Sequence, residues 1–124
     1  MSHDALTVDI KSEHDGDAIV YRLRGSLDLA TAPSLRAALI EAANEGKHEI
    51  IVDLSQLEFL DSTGLGALIG AHRRALENGG RVRLIVNEGA IQRLLTITGL
   101  MRIFAVYSTL DAALSDRDRL IASL

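Results

Sequence analysis

The sequence of 124 residues is long enough for one domain with a hydrophobic core, and 48% apolar with 24% charged residues is typical of a folded, soluble protein. The absence of cysteine excludes disulfides, thiolate metal sites and cysteine nucleophiles, and suits a cytoplasmic location. A net charge of −4 and 3% aromatic residues argue against nucleic acid as a direct partner, and no apolar run is long enough for a membrane span.

The first half of the sequence predicts a hairpin, a helix and a buried strand. The runs LTVDIKS (6–12) and AIVYRLRG (18–25) flank a polar turn, and the alternation in the first run is typical of a half-buried strand. The next segment predicts a helix that has Thr31 as its N-cap and ends at Gly46. The nearly continuous apolar run HEIIVDLS (48–55) predicts a strand that is covered on both faces.

The second half of the sequence continues to alternate between helices and strands. Its predicted elements are a helix over 62–78, a strand over 81–86, a helix over 88–99, a strand over 103–106 and a last helix capped by Ser108 or Thr109 and running over the remaining residues to 124. This order predicts a single α/β domain over 1–124, with its core at about 6–122. We expect a mostly parallel central sheet with an antiparallel edge strand and about four α-helices.

The segment EFLDSTGLGALIG (58–70) is unusual because three glycines fall at the start of a predicted helix. Each glycine inside a helix costs about 1 kcal/mol relative to alanine. If the helix begins near Ser62, then Ser62, Gly66 and Gly70 share one stripe of its surface. Spacing leaves two interpretations open. The stripe exposes bare backbone so that another protein can approach Ser62, or the glycines let the helix pack tightly against its own sheet.

Catalytic and metal sites fit the sequence poorly. No glycine stands two residues before Ser62, as a nucleophile elbow requires, and the pattern places none of the four histidines as its base. The segment also lacks the Gly-Lys-Ser/Thr ending of a phosphate-binding loop. Asp28, Asp53 and Asp61 follow or end strands, but caps and turns explain them better than a metal site. We therefore predict no metal, no cofactor and no enzymatic activity, and a packing role for His72.

Two longer segments carry a family resemblance. The sequence GSLDLATAPSLRAAL (25–39), followed by IIVDLSQLEFLDSTGLGALI (50–69), resembles the STAS domain of bacterial anti-sigma factor antagonists. Two further matching segments, GGRVRLIV and RLLTITGL, extend the resemblance over nearly the whole chain. The resemblance implies that an anti-sigma factor, itself a serine kinase, phosphorylates Ser62. It also implies that only the unmodified protein binds that factor and frees the sigma factor, and that a metal-dependent serine phosphatase reverses the modification.

The resemblance also implies which residues meet the partner. Asp28 matches an aspartate near the phosphorylated serine, and Asp61 matches the aspartate before it. The expected partner-binding residues are Asp28, Asp61, Ser62, Thr63, Gly64, Gly66 and Gly70. Thr63 is the alternative hydroxyl, and the family pattern favours Ser62. The rival within the fold is a STAS module without a switch, an accessory subunit of a lipid-transport complex or of a stressosome-like scaffold.

Overall fold

The predicted alternation of strands and helices is confirmed by the computed structural model, which describes residues 8–116 and 118–121. The strands in these residues are β1 (Val8–Asp15), β2 (Ala18–Leu27), β3 (Glu49–Leu60), β4 (Arg81–Ile85) and β5 (Ala105–Tyr107). The α-helices are α1 (Ala32–Asn44), α2 (Ser62–Glu77), α3 (Ala90–Ile97) and α4 (Leu110–Ser115). The strands lie side by side in chain order, and β1 is antiparallel to β2 while the other pairs are parallel. This is the predicted mixed sheet with an antiparallel edge strand.

The two faces of the sheet are covered by different helices. Helices α1, α2 and α3 cover one face, against which Ile50 and Val52 are buried. The other face is covered by α4, whose Ala112 and Ala113 belong to the same buried cluster as Ile51. Since successive residues of a strand point to opposite faces, β3 is buried on both sides over this stretch. The interpretation of its continuous apolar run is therefore confirmed.

The hairpin at the edge of the sheet is tighter than the sequence predicted. β1 continues to Asp15 and pairs with β2 up to Ala18, so only Gly16 and Asp17 form the turn. Gly16 has a φ of 60°, in the left-handed region that glycine adopts without strain. The predicted start of the first strand, at residues 6 and 7, lies outside the described residues.

The helix predicted over 88–99 is shorter by two residues at each end, and the strand predicted over 103–106 begins only at Ala105. Two predicted boundaries are wrong by five residues or more. β3 extends five residues beyond Ser55, because residues 56–60 continue to pair with β2 across two irregularities in the register. The last helix ends at Ser115 instead of running on, because Asp116 adopts a left-handed conformation. Its carboxylate binds the Arg81 guanidinium at 3.2 Å and also accepts a hydrogen bond from the Tyr107 hydroxyl. The chain then returns to the sheet, where Leu120 forms an antiparallel bridge with Val106; residues 122–124 lie outside the described residues.

Candidate functional site

Asp61 connects the ends of two neighbouring strands. Leu27 of β2 pairs with Leu60 of β3, so the loops that follow these strands meet at one edge of the sheet. The Asp61 side chain accepts hydrogen bonds from the N–H of Gly64 at 2.9 Å and from the N–H of Leu29 at 3.2 Å. It therefore caps α2 and also holds the β2–α1 loop against the start of that helix.

Asp28 and Thr31 shape the same loop from within. The Asp28 carboxylate accepts hydrogen bonds from the N–H groups of Ala30 at 3.0 Å and of Thr31 at 3.1 Å. Thr31 is buried and occupies the predicted N-cap position of α1, but its hydroxyl bonds to the loop instead of a helical N–H. It donates to the carbonyl of Ser26 at 2.6 Å and accepts from the N–H of Asp28 at 2.9 Å. These bonds fix a loop whose tip is Leu29.

Ser62 is the first residue of α2 and its side chain is exposed, whereas Thr63 is half-buried. Among the described residues, the Ser62 hydroxyl makes no hydrogen bond. It lies beside the Asp61 carboxylate and at the positive end of the helix dipole. Of the two neighbouring hydroxyls, Ser62 is therefore the more accessible to another protein.

The three glycines of α2 have different surroundings. A Cβ on Gly64 would lie 2.7 Å from the backbone oxygen of Leu27 and 2.8 Å from a side-chain carbon of Leu60. A Cβ on Gly66 or on Gly70 would meet nothing within 4 Å. The tight-packing interpretation is thus correct for Gly64 and wrong for the other two glycines, which present open space.

Gly66 and Gly70 line a shallow groove of about 60 Å³ between α1 and α2. Arg36 and Arg74 also line this groove; both are exposed, and neither forms an ion pair with a described residue. Ile40, on the α1 side, is 47% exposed. The side of α2 next to α1 therefore has a strip of bare backbone that is bordered by cationic and apolar side chains.

Asp53, the third aspartate considered for a metal site, lies away from this edge of the sheet. Asp53 accepts a hydrogen bond from the N–H of Ser55 at 2.9 Å within β3 and does not join Asp28 and Asp61. No cluster of three or more potential metal ligands occurs in the described part of the chain. No α-helix in that part is long and apolar enough to span a membrane.

His72 lies on the buried side of α2, as predicted for a packing residue. Its Nδ1 accepts a hydrogen bond from the N–H of Val82 at 3.1 Å, and its ring lies 5.0 Å from that of Phe104. Burial lowers the pKa of His72 below its usual value of 6.5, and the charge of Arg81 lowers it further, against the opposing effect of the Ile103 backbone. The neutral imidazole thus holds α2 against β4.

Comparison with known proteins establishes the family of this fold and site. The STAS domain family model matches residues 9–113. The chain belongs to the STAS domain family. This STAS domain is 30% identical to the anti-sigma F factor antagonist of Paenibacillus polymyxa over 112 residues, which cover 90% of this chain and 96% of that protein.

Solved structures agree with this assignment. The crystal structure of an anti-sigma factor antagonist from Mycobacterium paratuberculosis has a TM-score of 0.82 and 29% identity, and the match covers 90% of this chain and 94% of that one. The Bacillus cell fate determinant SpoIIAA in its phosphorylated form has a TM-score of 0.69 and 25% identity, with 87% and 98% of the two chains covered. The resemblance inferred from the sequence motifs is confirmed.

Two residues of this STAS domain were missed by sequence reasoning. Leu29 is 74% exposed at the tip of the β2–α1 loop, and Phe59 is 52% exposed near the end of β3. Both lie within three residues of Asp28 or Ser62 in the sequence. The sequence could have indicated Leu29, because an apolar residue in a loop does not belong to the buried face of a helix or strand and is a candidate for binding another protein.

Proposed function

We propose that this protein is an anti-sigma factor antagonist that acts in the cytoplasm and is switched by phosphorylation of Ser62. The unmodified form binds an anti-sigma factor with serine kinase activity and so frees a sigma factor. The phosphorylated form releases that partner, and a metal-dependent serine phosphatase restores binding. The family, and the existence of a phosphorylated form of the similar protein SpoIIAA, support this proposal.

The observation that carries the proposal is the accessible Ser62 hydroxyl beside a helix start that is already capped. Asp61 takes the N–H of Gly64, so a phosphate on Ser62 has fewer helix donors to bind. Phosphorylation adds about −1.5 to −2 charges at pH 7 next to Asp61, whose carboxylate also binds the loop that carries Asp28. An added dianion that must be desolvated in an interface, without a cation to meet it, opposes binding. The modification can therefore release the partner without refolding the domain.

The surface around Ser62 suits a protein partner. Leu29 and Phe59 offer exposed apolar side chains near the serine. Gly66 and Gly70 continue the surface along α2 and leave room for a kinase to bring its nucleotide close to the hydroxyl. An interface that includes large apolar residues around a chargeable group would respond strongly to that charge.

The exposure of the two hydroxyls favours Ser62 over Thr63 as the acceptor. A kinase must position the acceptor oxygen in line with the γ-phosphate, which requires a side chain that reaches out of the surface. Ser62 is exposed, whereas Thr63 is half-buried. The proposal therefore predicts phosphate on Ser62 in the Thr63→Ala variant as well.

The test compares tagged wild-type protein with Ser62→Ala and Ser62→Asp variants, isolated from the native cells. Phosphopeptides are mapped, and the bound proteins are identified by mass spectrometry. We expect phosphate on Ser62 in the wild type and at least about tenfold more anti-sigma kinase on Ser62→Ala than on Ser62→Asp, since tenfold requires only about 1.4 kcal/mol. Ser108→Asp, which adds the same charge at an exposed site before α4, should bind like the wild type.

Two outcomes would contradict the switch. Equal binding of the partner by Ser62→Asp and Ser62→Ala would exclude the electrostatic release. An unmodified Ser62 under both growth and stress, with transporter subunits bound instead of an anti-sigma factor, would favour an accessory STAS subunit.

A further inference from the structure

β3 is longer than its neighbour β4. The two strands pair only from Glu49–Arg81 to Asp53–Ile85, where β4 ends. Residues 54–60 of β3 therefore have β2 on one side, and no strand on the other side among the described residues. A strand edge of this kind presents main-chain N–H and C=O groups that can pair with an additional strand.

Side chains of the protein hydrogen-bond to the main chain only at the beginning of this edge. The Asn87 side-chain amide donates a hydrogen bond to the carbonyl of Ser55 at 3.0 Å, and Asp53 accepts one from the N–H of Ser55 at 2.9 Å. Among the described residues, no side chain makes a similar bond to the main chain of residues 56–59. The edge is therefore available over these four residues, immediately before the turn that leads to Ser62.

A cleft of about 180 Å³ lies along this edge. It is lined by residues 54, 55, 57 and 58 of β3 and by residues 87–91, which connect β4 to α3; we call it the edge cleft. The apolar part of its lining includes Leu54 and Leu57, which are 2% and 7% exposed. The edge cleft thus has space for a side chain and an apolar surface for that side chain to contact.

The two charged residues of the edge cleft are both acidic. Glu58 and Glu88 are exposed, and neither forms an ion pair with a described residue. A lysine or arginine side chain would match this arrangement, because its aliphatic part can lie on apolar residues while its charged end reaches the carboxylates. Charge complementarity therefore favours a basic occupant over an acidic or uncharged one.

We propose that the edge cleft binds an extended, basic segment of a partner protein, which adds as a strand to the free edge of β3. Main-chain hydrogen bonds to residues 56–59 would supply affinity, and a lysine or arginine between Glu58 and Glu88 would supply specificity. The proposal goes beyond the Ser62 switch and does not depend on it.

The test selects ligands from a library of random eight-residue peptides displayed on phage, with the full-length protein as the target. We expect enriched sequences in which β-branched or aromatic residues alternate with lysine or arginine. In NMR spectra, a synthetic peptide of this kind should shift the amide signals of residues 56–59 and 87–91. The same peptide with alternate backbone nitrogens methylated should bind at least about tenfold more weakly, because each methyl group removes a main-chain donor.

Substitutions of single carboxylates test whether the peptide binds at the edge cleft or elsewhere on the surface. Glu58→Gln and Glu88→Gln should each weaken peptide binding roughly threefold, and the double variant about tenfold, with the difference lost at high salt. Glu77→Gln, which removes an exposed carboxylate at the end of α2, is the matched control and should leave binding unchanged. Circular dichroism of the double variant verifies that it is folded.

Three results would overturn the proposal. The first is a phage selection that enriches no sequence, and the second is a methylated peptide that binds as tightly as the unmethylated one. The third is a peptide that shifts NMR amide signals only outside the edge cleft. Enriched peptides without basic residues, or unchanged affinity in the double variant, would exclude the basic occupant. Concentration-dependent dimerisation that the double variant abolishes would instead identify a second copy of this chain as the occupant.

Discussion

Two stripes of α2 have the same spacing and opposite surroundings. Gly64, Leu68 and His72 lie at intervals of four residues and are buried against the rest of the fold. Ser62, Gly66 and Gly70 also lie at intervals of four, on the side where a Cβ on either glycine would meet nothing within 4 Å. Glycine is required for packing on the first stripe, whereas on the second it costs helix stability without a gain inside the domain. We therefore expect the glycines of the second stripe to serve binding to another protein and not the stability of the domain.

The largest change in the free energy of unfolding is expected for a substitution on the buried stripe. Gly64→Ala places a Cβ 2.7 Å from the backbone oxygen of Leu27, so β2 and α2 must move apart. Overpacking of this kind costs about 1–3 kcal/mol, and helix propensity returns only part of it. We expect the free energy of unfolding, measured by urea denaturation, to fall by about 2 kcal/mol. An unchanged midpoint would mean that the contact between α2 and β2 is looser than the structure indicates.

The exposed stripe should respond in the opposite direction. Gly66→Ala and Gly70→Ala remove the helix penalty of glycine without a clash, so each should raise the free energy of unfolding by about 1 kcal/mol. Under the proposed function, the same substitutions should weaken binding to the anti-sigma factor about tenfold, because methyl groups fill the open surface.

Unfolding and binding must therefore be measured on the same variants. A pair of alanine variants that are more stable and bind as tightly as the wild type would show that the partner does not approach this stripe. Less stable variants would show that the glycines serve the fold after all, as Gly64 does.

The sequence was sufficient to predict part of this arrangement. Helical periodicity placed Ser62, Gly66 and Gly70 on one stripe, and the order of the elements placed Asp28 and Asp61 at or just after the ends of strands. Periodicity gives spacing but not the direction in which a stripe faces. That direction depends on contacts with β2 and β3, such as those between Gly64 and Leu27, which are distant in the sequence.

The end of α4 could not be predicted for a similar reason. Local propensity allows the helix to continue past Ser115, but Asp116 binds Arg81 and Tyr107, which are 35 and 9 residues away in the sequence. The extension of β3 also depends on pairing with a distant strand. In this domain, local patterns fixed the kinds of elements, and long-range polar contacts and strand pairing decided where several of them end.

The smallest expected effect is the pH response of His72 on the buried stripe. The native state lowers the pKa of His72 chiefly by burying it, and the ring must stay neutral to accept the N–H of Val82. Below pH 6.5, the unfolded chain protonates this histidine while the native state still holds it neutral. The unfolded state then binds more protons, so the free energy of unfolding falls as the pH decreases from 6.5 towards the native pKa.

His72→Gln should have a lower free energy of unfolding at pH 7.5 and a smaller loss between pH 7.5 and 5.5 than the wild type. Urea denaturation at several pH values measures both quantities, and His14→Gln, at the exposed hairpin end, is the matched control. If the wild type and His72→Gln lose the same free energy over this range, the histidine is not held neutral by its surroundings. The buried stripe would then be more open to water than its contacts with Val82 and Phe104 imply, and the contrast between the two stripes would be weaker at this end of α2 than at Gly64.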